Sequence, residues 1–276
     1  PPPPPPPPPP TPPPPPPPPP TPFPSTTLFR SESLESVIGQ TYRNFELILF
    51  DDGSKDATSD IIREYAGKDK RIIPVFNDRN LGLTVNLNRG IKLSRGVYIA
   101  RMDADDISMP TRFEKQVSFL DLNPGIDLVG SASADINSEG NEIQLRTVPE
   151  KHQDIINLLP KANPITHSAV MFRKKSFESI DFYNESYRTI QDYEMWFRAA
   201  GKGLKFHNMR EVLLKYRMDD DYVSRKSFSY RISDCKLRLK CFHHINLPYY
   251  KYYYALIPVF LGLIPRKLYP YVKRID

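Results

Sequence analysis

Residues 47–54 read Leu47-Ile48-Leu49-Phe50-Asp51-Asp52-Gly53-Ser54, an apolar run that ends in two carboxylates. A second apolar run, residues 97–102, leads in the same way into Asp103-Ala104-Asp105-Asp106. Continuous apolar runs of this length are typical of strands that are covered on both faces. In an open parallel sheet, ligands bind beyond the carboxyl ends of such strands. Two carboxylate clusters there would repel a bare diphosphate, so the pattern indicates a divalent cation between protein and phosphate.

Helical and strand patterns alternate around these two runs. The pattern predicts strands at 45–50, 72–76 and 97–102, and a helix that Ser54 would cap. Such a rhythm is typical of an α/β fold with a parallel sheet and right-handed crossovers. The second half is less regular. It predicts a hairpin from residues 126–136 and 142–148, a strand at 168–172 and a helix that begins at Gln191.

The first 24 residues hold 21 of the 31 prolines and cannot build a core. The residues that follow, 21–31, resemble the translation of a sequencing-library adapter. We therefore expect residues 1–31 to be a low-complexity segment outside the native sequence, although a genuine proline-rich linker remains an alternative. We expect residues 32–221 to form one domain, with a nucleotide half (32–109) and an acceptor half (110–221).

Charge sets residues 222–276 apart as a basic, tyrosine-rich appendage. They carry eleven Lys/Arg against two Asp, whereas the whole chain has a formal net charge of +6. This asymmetry indicates an anionic partner. The chain has two cysteines, Cys235 and Cys241, with neither metal-site nor disulfide spacing, and we find no signal peptide. We therefore expect a cytoplasmic protein.

Four motifs carry a resemblance to a known family. They are 40–47 with 51–54, 80–90, 101–106 with Met109-Pro110, and 191–196. In this order they resemble family 2 glycosyltransferases of the GT-A fold over roughly residues 32–218, and residues 163–168 are also similar. The resemblance implies a Rossmann-like, mostly parallel sheet flanked by helices. It further implies a hexosyltransferase-type enzyme that moves a sugar with inversion from a nucleotide-sugar donor to a glycan or lipid-linked acceptor.

The resemblance also assigns residues to the donor. Asp105 would bind Mg²⁺ or Mn²⁺, and Asp103 would share the ion or contact the ribose; on extended backbone, residues two apart point to the same side. Asp51 and Asp52 would bind the nucleotide, and Asn88 would support the same pocket. A helix-capping role for the aspartates and a helix-surface role for Asn88 stay open.

On the acceptor side, the resemblance makes Asp192 the base that takes the proton from the attacking hydroxyl. Glu194 is the rival, but it lies about 200° around the same helix, so the two cannot both face one site. His167 and Trp196 are candidate acceptor-side residues. A structural role for His167 and a core position for Trp196 stay open.

One part of the family pattern is missing. The family begins with an apolar strand at the centre of its sheet, and no such run precedes Glu32. We therefore expect a sheet with unpaired backbone groups on both sides of the gap, poor folding and weak donor binding.

The appendage suggests contact with a membrane surface. Residues 252–264 are apolar but too short to cross a bilayer, which takes about 20 residues. Their tyrosines and the neighbouring Lys/Arg predict peripheral docking on anionic lipid. Packing on the chain's own domain or on a second subunit is the alternative, and we expect no nucleic acid partner. Two other functions stay open, a nucleotidyltransferase of similar architecture and a non-catalytic scaffold.

Overall fold

A computed structural model describes residues 25–218 and 227–263, with side chains from Arg30 onward. The predictions for the proline tract and for the basic end of the appendage, residues 264–276, lie outside the described residues.

The described chain alternates helices and strands. The helices are α1 Ser25–Ile38, α2 Thr58–Lys68, α3 Leu83–Leu93, α4 Arg112–Leu122, α5 His152–Leu158, α6 Lys174–Glu178, α7 Gln191–Gly201, α8 Phe228–Cys241 and α9 Ile257–Leu263. The strands are β1 Leu47–Asp51, β2 Ile72–Phe76, β3 Tyr98–Ala100, β4 Ile107–Ser108, β5 Leu128–Ile136, β6 Glu142–Arg146, β7 Met171–Arg173 and β8 Phe206–Arg217. Single 3-10 segments lie at His167–Ala169 and Tyr249–Leu256.

The strands form two separate sheets. β1 and β2 pair in parallel, Leu47 opposite Ile72. The larger sheet has the order β3-β7-β5-β8-β4, with β6 also paired to β5. In it β5 and β8 are parallel, whereas the other pairs are antiparallel. The α/β architecture is therefore confirmed. The larger sheet is mixed because β7, from the second half of the chain, runs antiparallel to both β3 and β5.

β1 and β3 run in the same direction although they do not pair. At their amino ends, Glu46 accepts hydrogen bonds from the Arg95 backbone N–H and side chain. At their carboxyl ends, α1 spans both strands, since Arg30 donates to Asp56 (2.7 Å) and the Ser33 hydroxyl donates to the Asp103 carbonyl (3.4 Å). Within residues 25–218 and 227–263 no strand joins β1 to β3, so the expected interruption of the sheet is confirmed for the described chain.

Several predicted boundaries are wrong. Ser54 does not cap α2, which begins at Thr58, where Asp56 accepts from the Thr58 backbone N–H instead. The strand predicted at 168–172 is a 3-10 segment followed by β7. The 142–148 arm and the helix at Gln191 are where the pattern put them. The sequence analysis missed β8, which holds the second half together by pairing with β5 and β4.

Part of the appendage packs on the domain. Cys235, Leu237, Cys241 and Phe242 join the core cluster that contains Trp196 and Phe197 of α7. Arg238 pairs with Asp234 and donates to the carbonyl of Lys161 (2.6 Å). The helical character predicted for this segment is confirmed, and α8 is anchored to α7 and to the Lys161 backbone. None of the described helices is both long and apolar enough to traverse a bilayer.

Candidate active site

Asp51 and Asp52 organise the loops at the end of β1. Asp51 is buried and accepts from the Ser54 backbone N–H (2.9 Å) and from the Ser59 hydroxyl. Asp52 accepts from the Leu81 and Gly82 backbone N–H groups, both at 2.8 Å, and from Asn77. Burial opposes ionisation of Asp52, but these hydrogen bonds outweigh it and lower its pKa.

The loop after β1 and the loop before α3 touch at Gly53. Its φ is +77°, and a Cβ there would lie 3.1 Å from the backbone of Arg79. A side chain at this position would therefore be both strained and crowded. Asp51 and Asp52 thus shape a tight cradle, and any contact with a nucleotide would use their remaining lone pairs.

Asp103 is held in place by the buried guanidinium of Arg101. Arg101 donates to both carboxylate oxygens, and its guanidinium is almost inaccessible while Asp103 is about one-third exposed. Ser168 adds a hydrogen bond of 2.7 Å. The acidic motif is therefore fixed to the 3-10 segment that precedes β7.

Asp105 and Asp106 come next in the chain, and both accept hydrogen bonds from Arg217 at the end of β8. The Arg217 side chain donates to the Asp105 carbonyl, and its backbone N–H donates to Asp106 Oδ1, each at 2.9 Å. Burial, with a smaller contribution from the Asp103 charge, raises the pKa of Asp106 to about 7. Among the described residues, Oδ2 of Asp106 has no hydrogen-bond partner.

Asp192 lies in the first turn of α7, as predicted. Asn163 donates to its Oδ2 at 2.8 Å. Burial raises the pKa of Asp192, and the Asn163 hydrogen bond, the helix N–H groups and the Arg101 charge only partly oppose this. Glu194 is instead buried in an ion pair with Arg198 (2.8 Å), which excludes it as a base at this site.

His167 and Tyr183 pack against each other. The His167 ring lies 2.7 Å from the Tyr183 hydroxyl through Nε2. Burial first, and the Arg101 charge second, keep the pKa of His167 well below its usual value, so the imidazole is neutral at pH 7. Burial likewise raises the pKa of Tyr183. The pair can donate or accept hydrogen bonds but carries no charge.

Asn88 and Trp196 both contact neighbouring residues of the protein itself. Asn88 is buried and exchanges two hydrogen bonds with the backbone of Tyr183, 2.8 and 3.1 Å long, and donates to Glu185. Its amide therefore fastens α3 to the loop that carries Tyr183. Trp196 is 0% exposed and packs edge-on against His167. A ring without exposed surface cannot stack on a sugar, so the acceptor-side assignment of Trp196 is wrong for direct contact.

Arg101 interacts electrostatically with both acidic groups of the site. Burial lowers its pKa, but the charge of Asp103, the hydrogen bonds to Asp103 and the charge of Asp192 outweigh burial and raise it. The acidic motif after β3 and the carboxylate of α7 thus act on one buried guanidinium. The sequence analysis included Arg101 in the motif at residues 101–106 but predicted no role for it. The signal was an arginine inside an otherwise apolar strand pattern, whereas nothing in the local sequence marked Tyr183.

The residues present suit a divalent cation that a second ligand completes. In the part of the chain that the structure describes, no group of three His, Cys, Asp or Glu could hold a metal unaided. However, three carboxylates lie within four residues, and among the described residues Asp106 Oδ2 has no hydrogen-bond partner while burial raises the pKa of that carboxyl to about 7. Mg²⁺ sites commonly use one or two carboxylates together with substrate phosphates.

Solved structures share this fold. Staphylococcus aureus TarS 1–349 in complex with UDP-GlcNAc superposes with a TM-score of 0.66 at 14% identity, covering 90% of this chain and 76% of that chain. The mannosyltransferase PcManGT from Pyrobaculum calidifontis, in complex with GDP-Man and Mn²⁺, gives a TM-score of 0.58 at 14% identity, with 90% and 75% coverage. The fold is therefore that of GT-A glycosyltransferases.

Sequence comparison places the chain more closely. The model of the family described as Glycosyl transferase family 2 matches residues 31–181. The putative glycosyltransferase EpsE of Bacillus subtilis is 34% identical over 241 residues, 85% of this chain and 84% of EpsE. The amylovoran biosynthesis glycosyltransferase AmsE of Erwinia amylovora is 33% identical over 214 residues, 76% of this chain and 79% of AmsE. This chain belongs to glycosyl transferase family 2.

Proposed function

We propose that this glycosyltransferase moves a sugar from a nucleoside diphosphate sugar to a hydroxyl acceptor by a single displacement with inversion. The observation that carries the proposal is the buried Arg101 guanidinium, which pairs with Asp103 and whose pKa the charge of Asp192 also raises. A leaving-group site and a proton acceptor must lie on opposite sides of one sugar, and two carboxylates that act on one guanidinium support such a shared site. The donors named for TarS and PcManGT, UDP-GlcNAc and GDP-Man, support the donor class.

On the donor side, Asp105, with Asp103, would hold Mg²⁺ or Mn²⁺. When bound, the ion would stabilise the negative charge on the departing diphosphate without any proton transfer. Arg101 fixes the position of Asp103 from inside the protein. The cradle formed by Asp51 and Asp52 would receive the nucleotide.

On the acceptor side, Asp192 takes the proton of the attacking hydroxyl. The hydroxyl oxygen forms its bond to the anomeric carbon while the bond from that carbon to the diphosphate oxygen breaks, and the electron pair leaves with the diphosphate. Burial raises the pKa of Asp192, so its ionised carboxylate takes up a proton more readily. This suits a general base that acts in its ionised form near neutral pH. Asn163 fixes the carboxylate orientation, and neutral His167 offers a hydrogen bond to the acceptor.

The acceptor is a growing surface polysaccharide or a lipid-linked glycan. The name of AmsE, amylovoran biosynthesis glycosyltransferase, supports the polysaccharide class. Large aromatic side chains project from the appendage, among them Tyr249 (87% exposed), Tyr250 (74%) and Phe260 (61%). Aromatic rings beside lysines favour the boundary between lipid and water, so we infer peripheral contact with an anionic membrane, on its cytoplasmic face.

An Asp192→Asn variant tests the proposal. Loss of a general base lowers rates by about 10²- to 10⁴-fold, so sugar transfer should fall by that factor while nucleotide affinity stays within about twofold. Asp154→Asn is the matched control, because Asp154 also occupies the first turn of a helix but is exposed. Unchanged transfer by Asp192→Asn would refute the assignment of the base.

A further inference from the structure

β6 is a strand with one unpaired edge. It pairs with β5, and within the described residues no other strand pairs with it. The Ile136 carbonyl accepts a hydrogen bond from the residue that follows β8, so the backbone of the neighbouring Asp135 turns the other way, toward Gln144 of β6. The backbone groups that alternate with Gln144, at Ile143 and Leu145, consequently face away from β5.

The side chains of β6 are arranged in the reverse of the usual order. Ile143 and Leu145 are 55% and 65% exposed. Gln144 and Arg146 turn inward instead, and both donate to the buried Asp135, at 2.6 and 3.1 Å. An outer strand normally presents charged side chains to water, because an exposed apolar edge favours pairing with another chain. We call residues 142–146 with their outward backbone groups the β6 edge, and this arrangement marks it as a pairing surface.

The β6 edge is complementary to a reversed copy of itself. A two-fold axis at Gln144 places Leu145 of a second copy opposite Ile143, and Ile143 of that copy opposite Leu145. Because both residues face outward, each of these pairs can exchange two backbone hydrogen bonds, about four in all. The strand also has an acidic end at Glu142 and a basic end at Arg146, so the antiparallel copy brings opposite charges together at both ends.

Charge also distinguishes a second copy from other occupants of the β6 edge. Glu142 pairs with Lys215 of its own chain (3.5 Å), but its side chain is 56% exposed and can take a second cationic partner. Glu139, in the turn before β6, is also exposed. This acidic end disfavours contact with an anionic membrane, whereas a reversed copy of the same strand offers it the basic end.

We propose that the β6 edge joins two copies of this chain into a dimer with two-fold symmetry, in which the β6 strands pair antiparallel about Gln144. The larger sheets of the two copies then continue into each other across the axis. Side chains of residues that stand opposite each other point to the same face of a sheet, so Ile143 and Leu145 of both copies form one apolar patch. Pairing covers these side chains and satisfies the outward backbone groups.

Sedimentation velocity of the full chain over a range of concentrations tests the dimer. We expect a monomer–dimer equilibrium whose dissociation constant rises at least about tenfold in Leu145→Lys, because a charge replaces an apolar contact twice in a two-fold interface. Leu122→Lys is the matched control, since Leu122 is 81% exposed on α4 rather than on β6, and it should leave the equilibrium unchanged. Glu142→Lys should also weaken the dimer, whereas Glu178→Lys, an exposed site with the same charge change, should not.

Cysteine cross-linking tests the register. Gln144 stands opposite Gln144 of the second copy in a non-hydrogen-bonded pair, whose Cα atoms are about 4.5 Å apart, within disulfide range. The two copies of Leu145 lie on either side of the axis, more than about 7 Å apart, which is too far. Gln144→Cys should therefore form a covalent dimer on mild oxidation, whereas Leu145→Cys should not, although Leu145 is more exposed. Cys235 and Cys241 are buried and leave this readout clear.

Three results would each overturn the proposal: a monomer at every concentration, a dimer that Leu145→Lys leaves intact, or equal cross-linking of Gln144→Cys and Leu145→Cys. A dimer held by the appendage is recognised with Phe260→Lys, since Phe260 is 61% exposed on α9. Dissociation by Phe260→Lys but not by Leu145→Lys would contradict pairing through β6. The measurements need neither nucleotide nor acceptor, so their failure would leave the transferase proposal intact.

Discussion

Replacing Asn88 by alanine should destabilise the fold far more than a surface change, and should affect donor binding only through the fold. The substitution removes three hydrogen bonds, two of them to the backbone of Tyr183. It leaves the Tyr183 N–H and carbonyl buried and unpaired. Each such group costs about 1–3 kcal/mol, so the free energy of unfolding should drop by about 2–5 kcal/mol.

Urea denaturation of the wild type, Asn88→Ala and Asn157→Ala measures this directly. Asn157 is exposed and makes one surface hydrogen bond with Gln153, so its replacement should change stability by less than about 0.5 kcal/mol. Asn88→Ala should also weaken sugar transfer, because Tyr183 would no longer be fixed beside His167. Unchanged stability with a selective loss of nucleotide affinity would refute this reasoning and restore Asn88 as a direct nucleotide ligand.

Three further outcomes follow from the site. Transfer should decline as pH falls through the pKa of Asp192, which burial places above its usual value, because the base acts only when ionised; a flat rate over the acid range would contradict this. Asp105→Asn should weaken Mn²⁺-dependent binding of a nucleoside diphosphate by about tenfold or more, measured by calorimetry against Asp154→Asn, and equal affinities would remove Asp105 from the metal site. Trp196→Phe should lower stability by about 1–3 kcal/mol in thermal denaturation and leave the acceptor KM unchanged, since the ring is in the core; a raised KM with full stability would indicate sugar contact.

Local patterns were sufficient to predict β1 and α7. β1 is an apolar run that ends in carboxylates, and α7 begins at Gln191 with its apolar residues on one side. β8 escaped prediction because charged residues interrupt its apolar pattern and its pairing with β5 is formed across distant sequence. Short-range spacing also could not show that Asp56, and not Ser54, accepts the hydrogen bond from the first N–H of α2. That choice depends on the turn around Gly53.

The candidate site shows the same division. Its carboxylates were found from sequence because each follows a strand or begins a helix. The roles of Asn88 and Tyr183 depend on a contact between residues 95 positions apart, which no local pattern encodes. Arg101 was visible as a charged residue in an apolar run, but its electrostatic interaction with Asp192 depends on the fold.

The pKa of Asp192, followed by carboxyl carbon NMR in metal-free protein, tests the central arrangement most directly. Arg101 stabilises the ionised form of Asp192, so Arg101→Met should raise that pKa further. An Asp192 pKa that does not move in the folded variant would mean that the carboxylate of α7 and the acidic motif after β3 do not share a site.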